Sequence, residues 1–282
     1  MKDLRDKVAV VTGGGSGIGL GIARSLRAQG MQVVIADIEY DKAQAAAAEL
    51  GARAVQVDVT RAESVEALAR ETVACFGKVH LLCNNAGIGP FARVADLTRA
   101  DWKWMLDVNL WGVIHGIDSF LPLLRAHGEQ AHIVNTASLA GFTTMPGLAA
   151  YSASKAAVVA LSETLAAELA ASDPQVGVTV LAPGPVRSNI ANSLRNRPGE
   201  LPAGKLADMD IAATELSARA PAMRWLEPAQ VGDIVVRAVT GNELYAFTHP
   251  EMFGSVRARF ARIEQGNERA AARQAEQEHG TN

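Results

Sequence analysis

One short stretch near the N-terminus restricts the architecture more than any other. Residues 7–12 (KVAVVT) are β-branched and almost wholly apolar, and they end in Gly13-Gly-Gly-Ser16-Gly17-Ile18-Gly19. A strand apolar on both faces has to be covered on both, as in the interior of a parallel sheet. The glycines mark a tight turn, and the periodic segment 18–29 behind them reads as a helix. A strand, a glycine turn and a helix in that order begin a β-α-β unit, which implies crossover connections and helices on the faces of a sheet.

The same alternation continues along the chain. Strands are predicted at 32–36, 54–57 and 79–83, with helices at 41–50 and 64–75. A long helical region follows at 99–126, then a strand at 132–135, a helix out to about 171 and a strand at 176–181. Alternating elements with short connections give an α/β fold with a doubly wound parallel sheet of the Rossmann type. Between Pro185 and Glu227 the alternation stops, with prolines at 185, 198, 202 and 221. This reads as an insertion over the site, at about 186–227. A helix near 228–239 and a strand near 244–247 close the sheet, and the polar tail at about 261–282 is expected to be helical and then frayed.

Length and composition exclude several classes of function. A chain of 282 residues suits a single large α/β domain over 1–282 with a sizeable core. Apolar residues at 49% and charged residues at 20% describe an ordinary globular protein. A net charge of -3 offers no basic surface, so no nucleic acid is expected as a partner. Cys75 and Cys83 form neither a metal pattern nor a disulfide framework, which suits core packing in a reducing interior. The six histidines show no cluster in the sequence and no His/Glu spacing that suggests a metal. With no targeting segment before the first strand and no apolar run long enough for a membrane span, a soluble cytoplasmic protein without membrane contact is expected.

Three features carry chemistry. A helix N-terminus presents N–H groups and a partial positive charge, and glycines allow a pyrophosphate close to the backbone. The spacing is Thr12-Gly13-x-x-x-Gly17-Ile18-Gly19 rather than the strict G-x-G-x-x-G, so its position between strand and helix carries the cofactor reading. Asp37 closes the second strand eighteen residues after Gly19, where a carboxylate can accept hydrogen bonds from the adenosine ribose. Its charge would repel a ribose phosphate, and Glu39 adds to it, so NAD is favoured over NADP. Tyr151-Ser-Ala-Ser-Lys155 puts a phenol and an ammonium at i and i+4 on one helical face. A nearby cation favours the phenolate, and a tyrosine lowered in that way can exchange a proton with an alcohol or carbonyl oxygen.

Thr12-Gly13-x-x-x-Gly17-Ile18-Gly19, Asp58-Val59, Asn84-Asn85-Ala86-Gly87, Asp107-Val-Asn109, Ser138, Tyr151-x-x-x-Lys155 and Pro183-Gly184 together resemble the classical short-chain dehydrogenase/reductase family, from residue 7 to about 188. The resemblance implies Asn109, Ser138, Tyr151 and Lys155 as the catalytic set. Tyr151 would be the general acid/base, and Lys155 would lower its pKa and hold the nicotinamide ribose. Ser138 would bond the substrate oxygen, and Asn109 would hold a water linking Lys155 to solvent. It also implies a cofactor site of Gly13, Ser16, Gly17, Ile18, Gly19, Asp37, Asp58, Val59, Asn85, Ala86 and Gly87, with Tyr151, Lys155, Pro183, Gly184, Val186 and Ser188 at its nicotinamide end. Ser188 stands where family members often have a threonine.

The function expected is therefore an NAD-dependent interconversion of a secondary alcohol and a ketone. An NADP-dependent carbonyl reductase and a non-catalytic nicotinamide-binding regulator are the alternatives. Leu139, Phe142, Met145, Ile190 and Leu194 are placed to face the substrate and are apolar, which suggests a hydrophobic or aryl-bearing alcohol or ketone, with sugar, steroid and fatty-acyl substrates as rivals. Val186-Arg-Ser-Asn-Ile190, His249-Pro250-Glu251 and the extended tail are similar to bacterial relatives that oxidise lignin-derived aryl alcohols. Trp102, Trp104 and Trp111 are read as packing or subunit-interface residues, and the arginines between 187 and 197 as a solvated lid rather than an acidic-substrate site. The family resemblance also suggests a homotetramer or homodimer built on the long helix and the Tyr151 helix, whose Ala156, Ala160, Ala167 and Ala171 would permit close packing.

Overall fold

A computed structural model of the chain describes residues 1–202, 204–208 and 224–280. Its residues form two compact units, Met1–Thr248 and His249–Asn282. The first holds a sheet of seven strands: β1 (Val8–Thr12), β2 (Gln32–Asp37), β3 (Arg53–Gln56), β4 (Leu81–Asn84), β5 (Ala131–Thr136), β6 (Val176–Ala182) and β7 (Tyr245–Phe247). Their order is β3-β2-β1-β4-β5-β6-β7, and every pairing is parallel. This is the α/β, Rossmann-type doubly wound arrangement expected from the alternation.

The connecting helices are α1 (Gly17–Ala28), α2 (Tyr40–Leu50), α3 (Ala62–Phe76), α4 (Arg99–Leu106), α5 (Gly112–Ala126), α6 (Ala149–Ser172) and α7 (Pro228–Gly241). Alternate residues of a strand point to opposite faces, so one strand feeds two cores. On one face Ala9 and Val11 of β1 join Ile22 and Leu26 of α1 and Val231, Val235 and Val239 of α7. On the other, Val10 joins Leu68 of α3, Phe120 and Leu124 of α5, and Leu165 and Leu169 of α6.

β1 is bonded to β2 on one side and β4 on the other, so the winding reverses between β1 and β4. In open α/β sheets the ligand crevice lies outside the carboxyl ends of the strands at that reversal. The Gly13–Gly19 turn leaves β1 there, and Asn84–Gly87 leaves β4 there.

Three expectations change. The long helical region at 99–126 is interrupted by a π-helical turn at Asp107–Trp111. β4 begins at Leu81 rather than 79, because His80 is held at the N-terminal edge, its backbone N–H donating to Val8 O and its Nδ1 accepting from Val8 N–H. In the second unit α8 runs over Phe253–Gly280, so the helix starts well before 261. Of the insertion expected at 186–227, residues 203 and 209–223 lie outside the described residues, as do 281–282 of the tail. The insertion's base is closed by Arg187 N–H donating to Leu226 O and Leu226 N–H donating to Pro185 O. Among the described residues no helix is long and apolar enough to cross a membrane.

Candidate active site

The glycine turn is built around backbone that approaches backbone. Gly13 has φ +62° and lies so close to the β4 turn that a Cβ there would fall 2.8 Å from Ala86 Cα. A Cβ on Gly19 would fall 2.1 Å from Gly13 O, so α1 can start this close to the turn only as glycine. The Thr12 hydroxyl accepts from the backbone N–H of Asn85 (3.0 Å) and Ala86 (3.2 Å), and Asn85 Nδ2 donates back to Thr12 O (3.0 Å). Side chain and backbone thus clasp the two turns together at the switch point. Ser16 is the extended residue before α1, and Gly17 and Ile18 open the helix, where the first N–H groups lack intrahelical partners.

Asp37 orders the far side of this turn. Its Oδ2 accepts from Gly15 N–H and its Oδ1 from Glu39 N–H, both at 3.0 Å. Burial raises this carboxyl above its ordinary range against those two donors. Asp58, past β3, accepts from the Thr60 N–H and hydroxyl, and Val59 is buried beneath Gly112 with its carbonyl meeting the His115 ring.

The π-helical turn carries Asn109, which is fully buried. Its Oδ1 accepts from Ile88 N–H (2.9 Å), and its Nδ2 donates to Ile88 O (2.9 Å) and to Ser154 Oγ (3.2 Å). The amide therefore fixes the segment after β4. A Cβ on Gly87 would meet Asn109 Oδ1 at 3.2 Å and Lys155 Nζ at 3.5 Å, so both side chains converge beside an exposed glycine.

On α6, Tyr151 and Lys155 are both buried, and Lys155 Nζ stands 5.8 Å from the Tyr151 ring centroid. Lys155 Nζ donates to Thr136 O at 2.8 Å, at the end of β5. Burial in these surroundings pulls its ammonium down to about 8. Ser138 lies two residues past β5, and its hydroxyl hydrogen-bonds the Tyr151 phenol. Burial pushes that phenol up, and the Ser138 bond pulls the other way without reversing it. The direction is opposite to the lowering expected from the Tyr/Lys spacing, because removal of the phenolate from water is the largest influence on it.

The Pro183–Gly184 turn reaches the same place. Pro183 O accepts from Leu139 N–H (3.0 Å) and from the Ser138 hydroxyl (3.5 Å). Val186 is buried, and Ser188 lies where a Cβ on Gly17 would meet its own Cβ at 3.0 Å, so the insertion's start rests on the glycine turn.

The side chains around Tyr151 are apolar. Ile88, Trp104, Met105, Leu148 and Ala150 are buried with it, and Met145, Ile190 and Leu194 pack against this group. Phe142, expected here, instead meets Phe247 and Tyr245 of β7 at centroid distances of 5.2 and 6.1 Å. Trp104, expected as packing or interface, lies in the Tyr151 group, under the Arg197 guanidinium (5.5 Å from the ring). Of the arginines between 187 and 197, Arg187 is solvated as expected, whereas Arg195 and Arg197 are drawn into less exposed ion pairs. Arg187 pairs with Glu227 (2.9 Å), Arg195 with Glu39 (3.0 Å), and Arg197 with the fully buried Asp101 (2.7 Å).

The sheet also gathers a cluster that sequence spacing hides. His80, His127 and Glu129 meet at the N-terminal edge, opposite the switch point. The Nδ1 atoms of His80 and His127 accept from the N–H groups of Val8 and Glu129, and Glu129 already pairs with Lys7 and Lys78. With both ring lone pairs engaged and the carboxylate neutralised, the trio ties strand ends together.

A family model described as short chain dehydrogenase matches residues 7–199. The Cα-dehydrogenase of Sphingobium sp. strain SYK-6 is 34% identical over 269 residues, 93% of this chain and 87% of that protein. A protein of Lactiplantibacillus plantarum named CLA biosynthesis dehydrogenase/reductase is 30% identical over 93% of this chain and 95% of its own length. The crystal structure of a short chain dehydrogenase/reductase from Burkholderia phymatum in complex with NAD superposes with a TM-score of 0.87 at 36% identity, covering 94% of this chain and 97% of that one.

Proposed function

From the premise that the chain belongs to the short chain dehydrogenase family, and so is an oxidoreductase, we propose that it interconverts a secondary alcohol and a ketone with NAD. The observation that carries the reading is the convergence of Ser138, Tyr151, Lys155 and Asn109 at the carboxyl edge of the sheet, beside the β1/β4 reversal. A bound nicotinamide supplies hydride transfer to or from the carbinol carbon. The glycine turn, the start of α1 and Asn85–Gly87 are shaped to take a dinucleotide, since a side chain on Gly13 or Gly19 would collide with the backbone that forms the crevice.

Tyr151 handles the proton. In reduction its neutral phenol donates to the carbonyl oxygen, and in oxidation its phenolate accepts the carbinol proton. Ser138 holds the same oxygen as charge develops on it. Lys155, anchored by Thr136 O, is the cation that favours the phenolate, and Asn109 keeps the Gly87 segment against it. Asp37 at the end of β2 selects NAD by receiving ribose hydroxyls and repelling a ribose phosphate. The solved relative from Burkholderia phymatum, whose structure is a complex with NAD, supports the same choice. Trp104, Ile88, Leu148, Ile190 and Leu194 around Tyr151 favour a hydrophobic, aryl-bearing substrate. The protein acts in the cytoplasm as a homo-oligomer, joined through α5 and α6.

The test is the appearance of reduced cofactor when purified protein meets a panel of aliphatic, aryl, steroidal and sugar-derived secondary alcohols, with NAD and NADP in parallel. Turnover of the aryl class with NAD, at least about tenfold above NADP, is the expected result; tenfold is about 1.4 kcal/mol of discrimination. Silence across the panel with NADH binding intact would contradict it.

A further inference from the structure

Glu39 stands two residues beyond Asp37, at the adenosine end of the crevice, and it is the centre of a charged knot. Its Oε1 is 2.7 Å from Lys42 Nζ in the first turn of α2. Its Oε2 accepts from Arg195 Nη2 (3.0 Å) and Nε (3.1 Å), and from Asn196 Nδ2 (3.4 Å). Arg195 and Asn196 belong to the 3-10 segment Asn189–Asn196 of the insertion. Partial burial raises the Glu39 carboxyl, but these donors outweigh it and bring it down to about 2, so it is ionised throughout the physiological range.

We propose that Glu39 is a second determinant of cofactor choice, acting by occupying Lys42 and Arg195, the two cations that would otherwise receive a ribose 2′-phosphate. The proposal rests on the NAD reading above and adds a mechanism to it. A dinucleotide fold accommodates a 2′-phosphate by an arginine near the acidic position at the end of the second strand. Arg195 supplies such an arginine here, but Glu39 already pairs it. Glu39 engages both cations, and Asp37 stands beside it. A 2′-phosphate carries about -1.5 to -2 at neutral pH and would enter here uncompensated.

Arg195 does not depend on Glu39 for its place. Its Nη1 donates to Asn189 O (3.0 Å) and to Asn192 O within the same segment, which keeps the guanidinium at this edge when the carboxylate is neutralised. Replacing Asp37 alone leaves the Glu39 carboxylate on both cations. Removing both carboxylates frees a preformed pair of cations, one of them a planar fork suited to phosphate.

The experiment compares the unmodified protein, Asp37→Ala, Asp37→Ala/Glu39→Gln and Asp37→Ala/Glu39→Gln/Arg195→Gln. The readout is calorimetric binding of 2′,5′-ADP and 5′-AMP, which needs no substrate, beside NADPH and NADH binding. The expected result is that 2′,5′-ADP binds about tenfold tighter to the double variant than to Asp37→Ala, with 5′-AMP changed less than about threefold, and that Arg195→Gln removes the gain. Equal 2′,5′-ADP binding by the single and double variants would overturn the proposal while leaving the NAD reading intact. An unmodified protein that already binds NADPH as tightly as NADH would overturn the NAD reading, and the proposal with it.

Discussion

At the scale of single residues, burial and hydrogen bonding act against each other at Tyr151, the proposed acid/base. Tyr151 is pushed up by burial and held back by Ser138, so its phenol is neutral at physiological pH and the resting site is poised to donate. Alcohol oxidation needs the deprotonated form and should quicken as pH rises above neutrality, whereas ketone reduction should lose rate over the same range. Ser138→Ala removes the contact that lowers the phenol, so the rise in oxidation rate should move to higher pH; initial rates in both directions from pH 6 to 10 would show it.

Lys155 carries the complementary cost. Its pKa falls from 10.5 to about 8 on folding, so the native state disfavours its charge. Between those values the unfolded chain binds more protons, and stability rises with pH. At pH 7 the full penalty is present. Lys155→Met should abolish turnover yet melt at a higher temperature at pH 7, and the difference should shrink as pH rises through 8 towards 10.5; equal melting temperatures at pH 7 would contradict the assignment.

Gly13, Asp37, Tyr151 and Lys155 stand out by residue type and spacing and Ser138 by the family resemblance, and the structure brings all five to the carboxyl edge of the sheet. The sequence is not legible where a choice depends on which of two surfaces a side chain turns to. Phe142 follows Ser138 closely but lies against β7, because the 3-10 turn at Leu139–Gly141 resets the facing of the residue behind it.

At the scale of elements, the π-helical turn is the feature the periodic pattern hides. A π turn adds one residue to a helix and often marks a functional position. Here it delivers Asn109 to Ile88 and Ser154, which a continuous helix from 99 to 126 would place elsewhere. The described residues at the start of the insertion are likewise tied to the sheet domain. Ser193 Oγ accepts from Gly89 N–H (3.0 Å), and Arg197 reaches Asp101, whose other oxygen caps α4 through Thr98. These partners lie about a hundred residues apart, and no local pattern pairs them. Arg197→Met keeps the stem over Trp104 but leaves Asp101 without its cation. The expected outcome is a several-fold rise in KM for the alcohol, NADH binding unchanged within about twofold, and faster proteolysis within residues 186–202. An unaltered KM would show that the tie does not shape the substrate side.

At the scale of the whole molecule, the β/α alternation implies a doubly wound parallel sheet, and the strand order found in the structure sets the reversal between β1 and β4. Meetings across the sheet are not legible in that alternation. His132 on β5 is fully buried, with Nε2 2.8 Å from Thr179 Oγ1, and burial pulls it down to about 3. Between pH 6.5 and 3 the unfolded chain binds more protons, so stability falls as the solution is acidified. Melting temperature should drop by about 5 °C from pH 6.5 to 5, and His132→Gln should flatten that slope. An identical slope in the variant would assign the acid sensitivity elsewhere.

The groove between α5 and α6, lined by Ile114, Ile117, Leu121 and Leu161 and flanked by Asp118 and Arg125, is the surface on which assembly is expected. Ile117→Arg should reduce the sedimenting mass of the protein, and a variant of unchanged mass would exclude this face.

The most direct measurement is made on Tyr151→Phe, with NADH binding followed by fluorescence and NAD reduction followed by absorbance on the alcohol that the unmodified protein turns over fastest. The expected result is NADH affinity within about threefold of the unmodified protein and a turnover rate at least about a thousandfold lower, the range a positioned acid/base supplies. Turnover preserved within tenfold would contradict Tyr151 as the proton-transferring group and the account built on it.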